Sequence, residues 1–262
     1  MSWLRELGST GIQVSALGLG TVKLGRDQGV KYPTGFTIPD DRAALELLAQ
    51  ARDLGINLVD TAPAYGTSEE RLGKLLKGQR DQWVICSKVG EEFNNGESSF
   101  DFSPEHVRYS VKRSLGRLCT DMIDMVLVHS DGNDLHIINE LGTLEALAEL
   151  KSEGLIRAYG MSTKTVEGGI AAAQQSDIVM LTYNLAQQEE SPVLDACAEL
   201  GKGALIKKAL ASGHLADNYD DPVQASMDLV FSHPGASAAI IGTITPSHLA
   251  ANCQAARMAI RE

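Results

Sequence analysis

The chain has 262 residues, a formal net charge of -11 and a hydrophobic content of 44%. This length and composition allow one large buried core, so we expect a single domain over residues 1–262. The acidic balance and the lack of a Lys/Arg-rich run argue against a nucleic-acid partner, because such binding requires cations that neutralise phosphates.

The sequence carries no sign of export or membrane insertion. It has no run of about 18 apolar residues and no apolar segment behind a basic head at its start. The four cysteines, Cys86, Cys119, Cys197 and Cys253, are widely spaced in apolar segments, and we interpret them as buried free thiols. We therefore expect a soluble cytoplasmic protein with no membrane partner and no metal site. We also expect a monomer or a small homo-oligomer.

The predicted elements begin with a β-hairpin, in which SWLREL and GIQVS flank a turn at residues 8–11. Short β-branched runs then alternate with longer helical patterns. The predicted strands lie at 15–21, 57–60, 83–88, 123–129, 156–161, 178–183, 204–207 and 238–241. The predicted helices lie at about 40–54, 68–77, 103–118, 138–152, 165–176, 191–200, 222–232 and 246–260. Pro104, Pro192, Pro222 and Pro246 stand at helix starts, where a missing N–H loses no hydrogen bond.

This alternation predicts a parallel sheet covered by helices, and eight strands are the number that closes such a sheet into a barrel. The predicted fold class is α/β, a (β/α)8 TIM barrel with an N-terminal β-hairpin that could plug its bottom.

Four polar side chains are predicted to meet at one rim of this barrel. Asp60, Lys88 and His129 end the second, third and fourth strands, and Tyr65 follows Asp60 on the next loop. The carboxyl ends of the strands carry the chemistry in this fold, so these residues form a candidate catalytic site.

The chemistry of the four groups is that of a general acid. A free phenol has a pKa of about 10, and the ammonium of Lys88 would favour the phenolate of Tyr65. Asp60 would hold Lys88 charged, and His129 could donate a hydrogen bond to a bound carbonyl oxygen. Any one of them alone is more often structural, but their placement on consecutive strands favours catalysis.

These residues bring a family resemblance with them. The run GINLVDTAPAYGTSEERLGKLLK, followed by SKVG and LVHS, resembles the aldo-keto reductases. The likeness extends along essentially the whole chain, from LGLGTVKLG to TITPSHLAAN. It implies an NAD(P)H-dependent reductase of aldehydes and ketones that can also oxidise alcohols or aldoses. By this resemblance Tyr65 would donate the proton, Asp60 and Lys88 would adjust the pKa of Tyr65, and His129 would orient the substrate carbonyl.

The resemblance also implies where the cofactor lies. Because Thr245 and Pro246 open a helix after the last strand, backbone N–H groups there can face an anion. The implied contacts are Gly20, Thr21 and Asp60 at the first strands, Ser162, Tyr183 and Asn184 near the nicotinamide, Lys207, Lys208, Leu210, Ser212 and Leu215 near the pyrophosphate, and Gly242, Thr243, His248 and Asn252 near the adenosine. GLGTVKLG does not open a helix in a βαβ unit and is not a Rossmann motif.

Some positions depart from the family pattern. The best-known members commonly carry basic residues near positions 242 and 248, where this chain has Gly242 and His248. NADP is the cofactor that the resemblance implies, and these departures make NAD possible. Thr163 stands where many relatives have asparagine, and Met180 stands where many have glutamine, so one carboxamide hydrogen bond is expected to be missing.

The expected partner is a small carbonyl substrate. Tyr32, Phe93 and Phe100 lie in loops at the predicted mouth, where they could form a partly aromatic wall. The sequence ends directly after the last predicted helix, so we expect an open site with loose selectivity.

Two alternatives stay open. Lys88 could form a Schiff base in a lyase, although a salt-bridged lysine is a poor nucleophile. The chain could instead be a non-enzymatic nicotinamide-binding regulatory subunit, which slow hydride transfer and tight cofactor retention would reveal.

Overall fold

The structure is a computed structural model that describes residues 2–30, 32–214 and 219–260. It begins with an antiparallel hairpin of β1 (Leu4–Glu6) and β2 (Gln13–Ser15), as predicted. Eight parallel strands then close into a barrel: β3 (Leu17–Gly20), β4 (Leu58–Asp60), β5 (Val84–Val89), β8 (Ile123–His129), β9 (Ile156–Ser162), β10 (Ile178–Thr182), β11 (Gly203–Lys207) and β12 (Ala238–Ile241). Neighbours in the barrel follow chain order, and β12 pairs with β3 to close the ring. The predicted (β/α)8 fold is confirmed.

Helices cover the outside of the barrel. They are α1 (Asp41–Asp53), α2 (Ser68–Leu75), α3 (Pro104–Arg117), α4 (Asp134–Glu140), α5 (Thr143–Ser152), α6 (Val166–Gln175), α7 (Ser191–Leu200), α8 (Pro222–Ser232) and α9 (Pro246–Ile260). Several begin at side-chain caps as the sequence predicts, since Ser103 accepts a hydrogen bond from the backbone N–H of His106, and Asp221 accepts from Val223 and Gln224.

Two details of the predicted elements are wrong. The single helix predicted over 138–152 is two helices, α4 and α5, because Gly142 between them adopts φ 69° and interrupts the helical path. The loop after the third barrel strand contains a second hairpin, β6 (Glu91–Asn94) and β7 (Glu97–Phe100). Asn95 and Gly96 both have positive φ at its turn, and the sequence Asn-Gly is the strongest short-range signal for this turn.

The N-terminal hairpin closes the bottom of the barrel. Leu7, Ile12 and Val14 are at most 1% exposed and join the cluster that fills the barrel interior. Leu7 packs against Gly203 at the first residue of β11, which lies at the amino-terminal end of the barrel. Burial of each such side chain stabilises the fold by about 1.5–3 kcal/mol. Because this end is filled, the opposite rim is the open one.

The cysteine prediction is correct at three positions. Cys86, Cys197 and Cys253 are buried free thiols, but Cys119 is exposed. Cys119 follows the last residues of α3 with φ 52°, in the left-handed turn that ends the helix. Over residues 2–30, 32–214 and 219–260, no helix is long and apolar enough to cross a membrane. In the same ranges no cluster of three or more His, Cys, Asp or Glu side chains could hold a metal ion.

Two helical glycines provide a matched test of how α2 packs against α3. A Cβ at Gly73 in α2 would lie 2.1 Å from the carbonyl oxygen of Arg117, whereas a Cβ at Gly116 in α3 would meet nothing within 4 Å. We expect Gly73→Ala to lower the free energy of unfolding by several kcal/mol. Gly116→Ala should raise it by up to about 1 kcal/mol, because alanine is the better helix former. Urea unfolding measures both values, and equal effects would contradict the α2–α3 contact.

Candidate active site

A cavity of about 580 Å³ opens at the carboxyl ends of the barrel strands. Most of the residues predicted for the site line it: Gly20, Tyr32, Asp60, Tyr65, Lys88, His129, Ser162, Lys207, Lys208, Leu210, Ser212, Gly242, Thr243, His248 and Asn252. The barrel therefore brings the four candidate catalytic groups and most of the candidate cofactor contacts into one space. Leu215 lies outside the described residues.

Three of the predicted cofactor contacts do not line this cavity and have structural partners instead. Thr21 donates its hydroxyl to the carbonyl oxygen of Asp60 at 2.8 Å. Asn184 accepts hydrogen bonds from the backbone N–H groups of Ala186 and Gln187. Tyr183 belongs to the hydrophobic core and is 6% exposed. These residues hold the loops that shape the rim.

The aromatic wall predicted from three loops is only partly present. Phe93 lies under the guanidinium of Arg26, 3.4 Å from it to the ring centroid, and Phe100 stacks on Phe102. Neither ring lines the cavity. Tyr32 does, but it lies beside Gly242, where an added Cβ would be 3.1 Å from its hydroxyl. Tyr32 thus reaches the part of the rim predicted to hold the cofactor.

The core of the site is a buried ion pair. Lys88 Nζ lies 2.5 Å from Asp60 Oδ1 and also donates to the carbonyl oxygen of Thr61 at 2.9 Å. The two side chains are 1% and 4% exposed. Burial lowers the pKa of Lys88, but the charge and hydrogen bond of Asp60, together with the electrostatic effects of Tyr65 and Cys86, outweigh burial and raise the net pKa above the ordinary value. Lys88 is therefore a fixed cation at neutral pH.

Tyr65 lies beside this cation. Lys88 Nζ is 5.0 Å from the centroid of the phenol ring. Burial raises the pKa of Tyr65, while the charge of Lys88 opposes that effect without overcoming it. The lowering effect of Lys88 on this pKa is present as expected, but burial outweighs it. Tyr65 stays protonated at neutral pH, with a cation next to the oxygen that would carry negative charge after proton release.

His129 completes the cluster, and its ring meets that of Tyr65 edge to face with centroids 6.2 Å apart. Its Nδ1 lies 2.7 Å from Glu91 Oε2. Glu91 belongs to the β6–β7 hairpin and was not predicted as a site residue, since that segment was interpreted as a loop. Its position directly after the SKVG motif and before an Asn-Gly turn was the available signal.

Lys207 lines the cavity and reaches from β11 to the end of β9. Its Nζ donates to Ser162 Oγ at 2.9 Å and to the carbonyl oxygen of Thr163 at 2.6 Å. Burial lowers the pKa of Lys207 to about 8, although Glu190 opposes the shift. Lys208, by contrast, is exposed, with φ 56° at the start of the next loop.

The start of α9 offers groups for an anion. The Thr243 hydroxyl accepts a hydrogen bond from the backbone N–H of Thr245, which turns the chain into the helix. His248 and Asn252, on successive turns of α9, both line the cavity, and Asn252 is 6% exposed. N–H groups at a helix start together with neutral donors suit phosphate or ribose oxygens.

An adjoining cavity of about 700 Å³ shares Tyr65 and His129 with the first. Its wall is rich in polar and charged side chains, which include Arg26, Glu91, Lys164, Gln187, Glu189, Glu190 and Lys207. The space next to the phenol is therefore polar, with charges of both signs.

The buried ion pair can be tested through stability. Asp60→Asn leaves Lys88 without its counter-charge, and we expect the free energy of unfolding at pH 7 to fall by about 3–5 kcal/mol. The double variant Asp60→Asn/Lys88→Met removes the orphaned cation and should recover most of this loss. Urea unfolding of the two variants provides the comparison. A double variant as unstable as Asp60→Asn would contradict the assigned pairing.

Comparison with known proteins places this geometry in a family. The model of the Aldo/keto reductase family matches residues 16–230. The chain is 35% identical to the aldo-keto reductase YhdN of Bacillus subtilis over 217 residues, which are 80% of this chain and 62% of that protein. It is 32% identical to the NADH-specific methylglyoxal reductase of Escherichia coli over 225 residues, 80% of this chain and 68% of that protein. The chain thus spans less than two thirds of the length of YhdN.

A solved structure resembles nearly all of the fold. The protein PA4992 of Pseudomonas aeruginosa, described as an aldo-keto reductase, is 59% identical, with a TM-score of 0.90 over 98% of this chain and 95% of that one. The sequence match, the closed barrel and this likeness agree, and the chain belongs to the aldo/keto reductase family.

Proposed function

We propose that this protein is an NAD(P)H-dependent reductase of aldehydes and ketones that also works in the direction of alcohol oxidation, with Tyr65 as the proton donor. The observation that carries the proposal is the phenol of Tyr65 beside the buried Lys88–Asp60 pair and the imidazole of His129, in a cavity that extends to the start of α9. Family membership supports oxidoreductase chemistry of this general kind.

Tyr65 protonates the carbonyl oxygen as negative charge develops on it. Its raised pKa keeps the phenol protonated over the neutral range, so the donor is available before the reaction. The nearby charge of Lys88 stabilises the phenolate that proton transfer leaves behind. Because Asp60 already neutralises Lys88 in part, the pair provides an oriented dipole and not an isolated buried charge. His129 positions the same oxygen from the other side.

The donor set of the cavity fits a dinucleotide. Ser162 and the segment around Lys207 would hold the nicotinamide part, and Thr243, Asn252 and the N–H groups at the start of α9 would hold the adenosine part. A bound nicotinamide supplies the hydride that none of the four side chains can deliver. The residues of the chain would orient the carbonyl carbon toward the nicotinamide and exclude competing water.

The nucleotide preference is left open by the residues around position 248. NADPH carries a 2′-phosphate, and a permanently charged cation would favour its binding. His248 is not a permanently charged side chain. One relative is NADH-specific by name, which supports use of NADH beside NADPH. We propose that the enzyme accepts both.

The polar wall beside Tyr65 supports small oxygenated carbonyl substrates. Lys164, Gln187 and Glu189 offer hydrogen bonds to hydroxyl or second carbonyl groups, whereas Phe93 and Phe100 are engaged elsewhere. Relatives named for methylglyoxal and for aldoses act on compounds of this kind. The ion pair argues against the Schiff-base alternative at Lys88, since its amine is held protonated.

Loss of the proton donor tests the proposal. We expect Tyr65→Phe to reduce kcat for glyceraldehyde or methylglyoxal by about 10²- to 10⁴-fold, with Kd for NADPH changed less than threefold, as a rough bound. Oxidation of NADPH and of NADH followed at 340 nm, with Tyr109→Phe on the surface as the control, measures the effect. Absence of turnover in the unaltered protein despite tight cofactor binding would support the regulatory alternative.

The cofactor assignment predicts a change of preference. His248→Arg would place a fixed cation at the start of α9, and we expect it to lower Kd for NADPH about tenfold with little change for NADH. Gly242→Arg is a poorer choice, because Tyr32 occupies that side. His136→Arg on the exposed face of α4 is the control, and protein fluorescence titration gives each Kd. Equal effects on both nucleotides would place the 2′-phosphate elsewhere.

A further inference from the structure

Lys207 is a cation in the cavity without a counter-charge in contact with it. Its Nζ donates to Ser162 Oγ at 2.9 Å and to the carbonyl oxygen of Thr163 at 2.6 Å, and both acceptors are neutral. Within the part of the chain that the structure describes, Lys207 forms no ion pair, whereas Lys88 lies against Asp60. The charge of Lys207 can therefore act on a ligand that binds beside it.

The charged groups around Lys207 act on it from a distance. The titratable side chains that face it from the neighbouring segments are Lys164, Lys208, Asp134, Glu190 and His129. Burial lowers the pKa of Lys207 to about 8, the two other lysines lower it further, and the two carboxylates oppose the shift. Lys207 is therefore mostly charged at pH 7, and it loses this charge as the pH rises through about 8.

Lys207 reaches the site from beyond Met180. β10 stands between β9 and β11 in the barrel, and its Met180 pairs with Ser162 and lines the cavity. The sequence predicts that a hydrogen bond to the nicotinamide carboxamide is missing at Met180, because a thioether has no N–H to donate. The Nζ of Lys207 meets Ser162 next to this position, so the adjacent strand brings a donor to it.

The ammonium group has a hydrogen bond to spare. It carries three N–H donors, of which Ser162 and Thr163 accept two. The remaining donor is available to an oxygen atom in the cavity that Lys207 lines, and a carboxamide oxygen is such an acceptor. This donor differs from a side-chain amide because it carries a positive charge.

The two forms of a nicotinamide nucleotide differ in that same property. The reduced ring is neutral and the oxidised ring carries one positive charge, while the phosphates and riboses of NADPH and NADP⁺ are alike. A cation that holds the carboxamide therefore repels the ring in the oxidised form only. The repulsion is stronger in a cavity that excludes water than it would be in solution.

We propose that Lys207 donates to the nicotinamide carboxamide in place of the amide that Met180 replaces, and that its positive charge makes the site bind the reduced nucleotide in preference to the oxidised one. The inference rests on the proposed use of a nicotinamide cofactor. It adds to that proposal a residue that distinguishes the two redox forms of the cofactor.

The test is calorimetric titration of the unliganded protein with NADPH and with NADP⁺ at pH 7. Lys207→Gln keeps an N–H donor but removes the charge, and we expect it to lower the ratio of Kd for NADP⁺ to Kd for NADPH by about tenfold. Lys202→Gln is the matched control, because Lys202 directly precedes β11 at the opposite end of the same strand. The control should leave the ratio unchanged.

The same ratio has a predicted pH dependence. In the unaltered protein it should fall as the pH rises from about 7 to about 9.5, because neutral Lys207 no longer repels the oxidised ring. Titration of the 2′-phosphate cancels in the ratio, since both nucleotides carry it. Lys207→Gln should remove most of this dependence, and a remainder would report the other titratable groups, such as His129.

Two kinds of failure can be told apart. If both nucleotides bind but the ratio is the same in Lys207→Gln and the unaltered protein, or shifts equally in Lys202→Gln, the inference is overturned and the proposed cofactor stands. If neither nucleotide binds to the unaltered protein, the proposed cofactor fails and the inference fails with it. The titrations need no carbonyl substrate, so they do not depend on which one the enzyme reduces.

Discussion

The ion pair between Lys88 and Asp60 is the interaction on which the site depends. Two charges at 1% and 4% exposure are stable only if they lie within hydrogen-bond distance of each other, and the barrel achieves this by ending β4 and β5 side by side. The pair in turn fixes a cation 5.0 Å from the ring of Tyr65. Without it, the phenol would lie in a buried site that disfavours its phenolate, and proton release would be costly.

The two ends of the barrel differ, and this difference places the ion pair and Tyr65 at one rim. The hairpin of β1 and β2 fills the amino-terminal end with Leu7, Ile12 and Val14, so the interior of the barrel is apolar from the bottom upward. Polar side chains occur where the strands end at the opposite rim. The outer helices fix the strand order, and the strand order decides which side chains become neighbours at that rim.

Much of this was accessible from the sequence because it depends on local rules. Strand and helix periodicity, prolines at helix starts and the strand-end positions of Asp60, Lys88 and His129 all report on residues close in the chain. The contacts that the sequence did not predict depend on three-dimensional approach. The 2.7 Å contact of Glu91 with His129 requires the β6–β7 hairpin to fold back over the rim. The reach of Lys207 in β11 to Ser162 in β9 crosses the intervening strand β10, and burial of Tyr65 outweighs the charge that sequence reasoning emphasised.

We propose that the cavity brings a hydride donor to a carbonyl carbon next to Tyr65. Reduction of glyceraldehyde with NADPH deuterated at C4, in separate reactions for each face of the ring, tests this when the product is examined by mass spectrometry. We expect deuterium from one face alone on the former carbonyl carbon, because a fixed site presents one face of the cofactor. Product without deuterium from either face, or labelled equally from both, would contradict it.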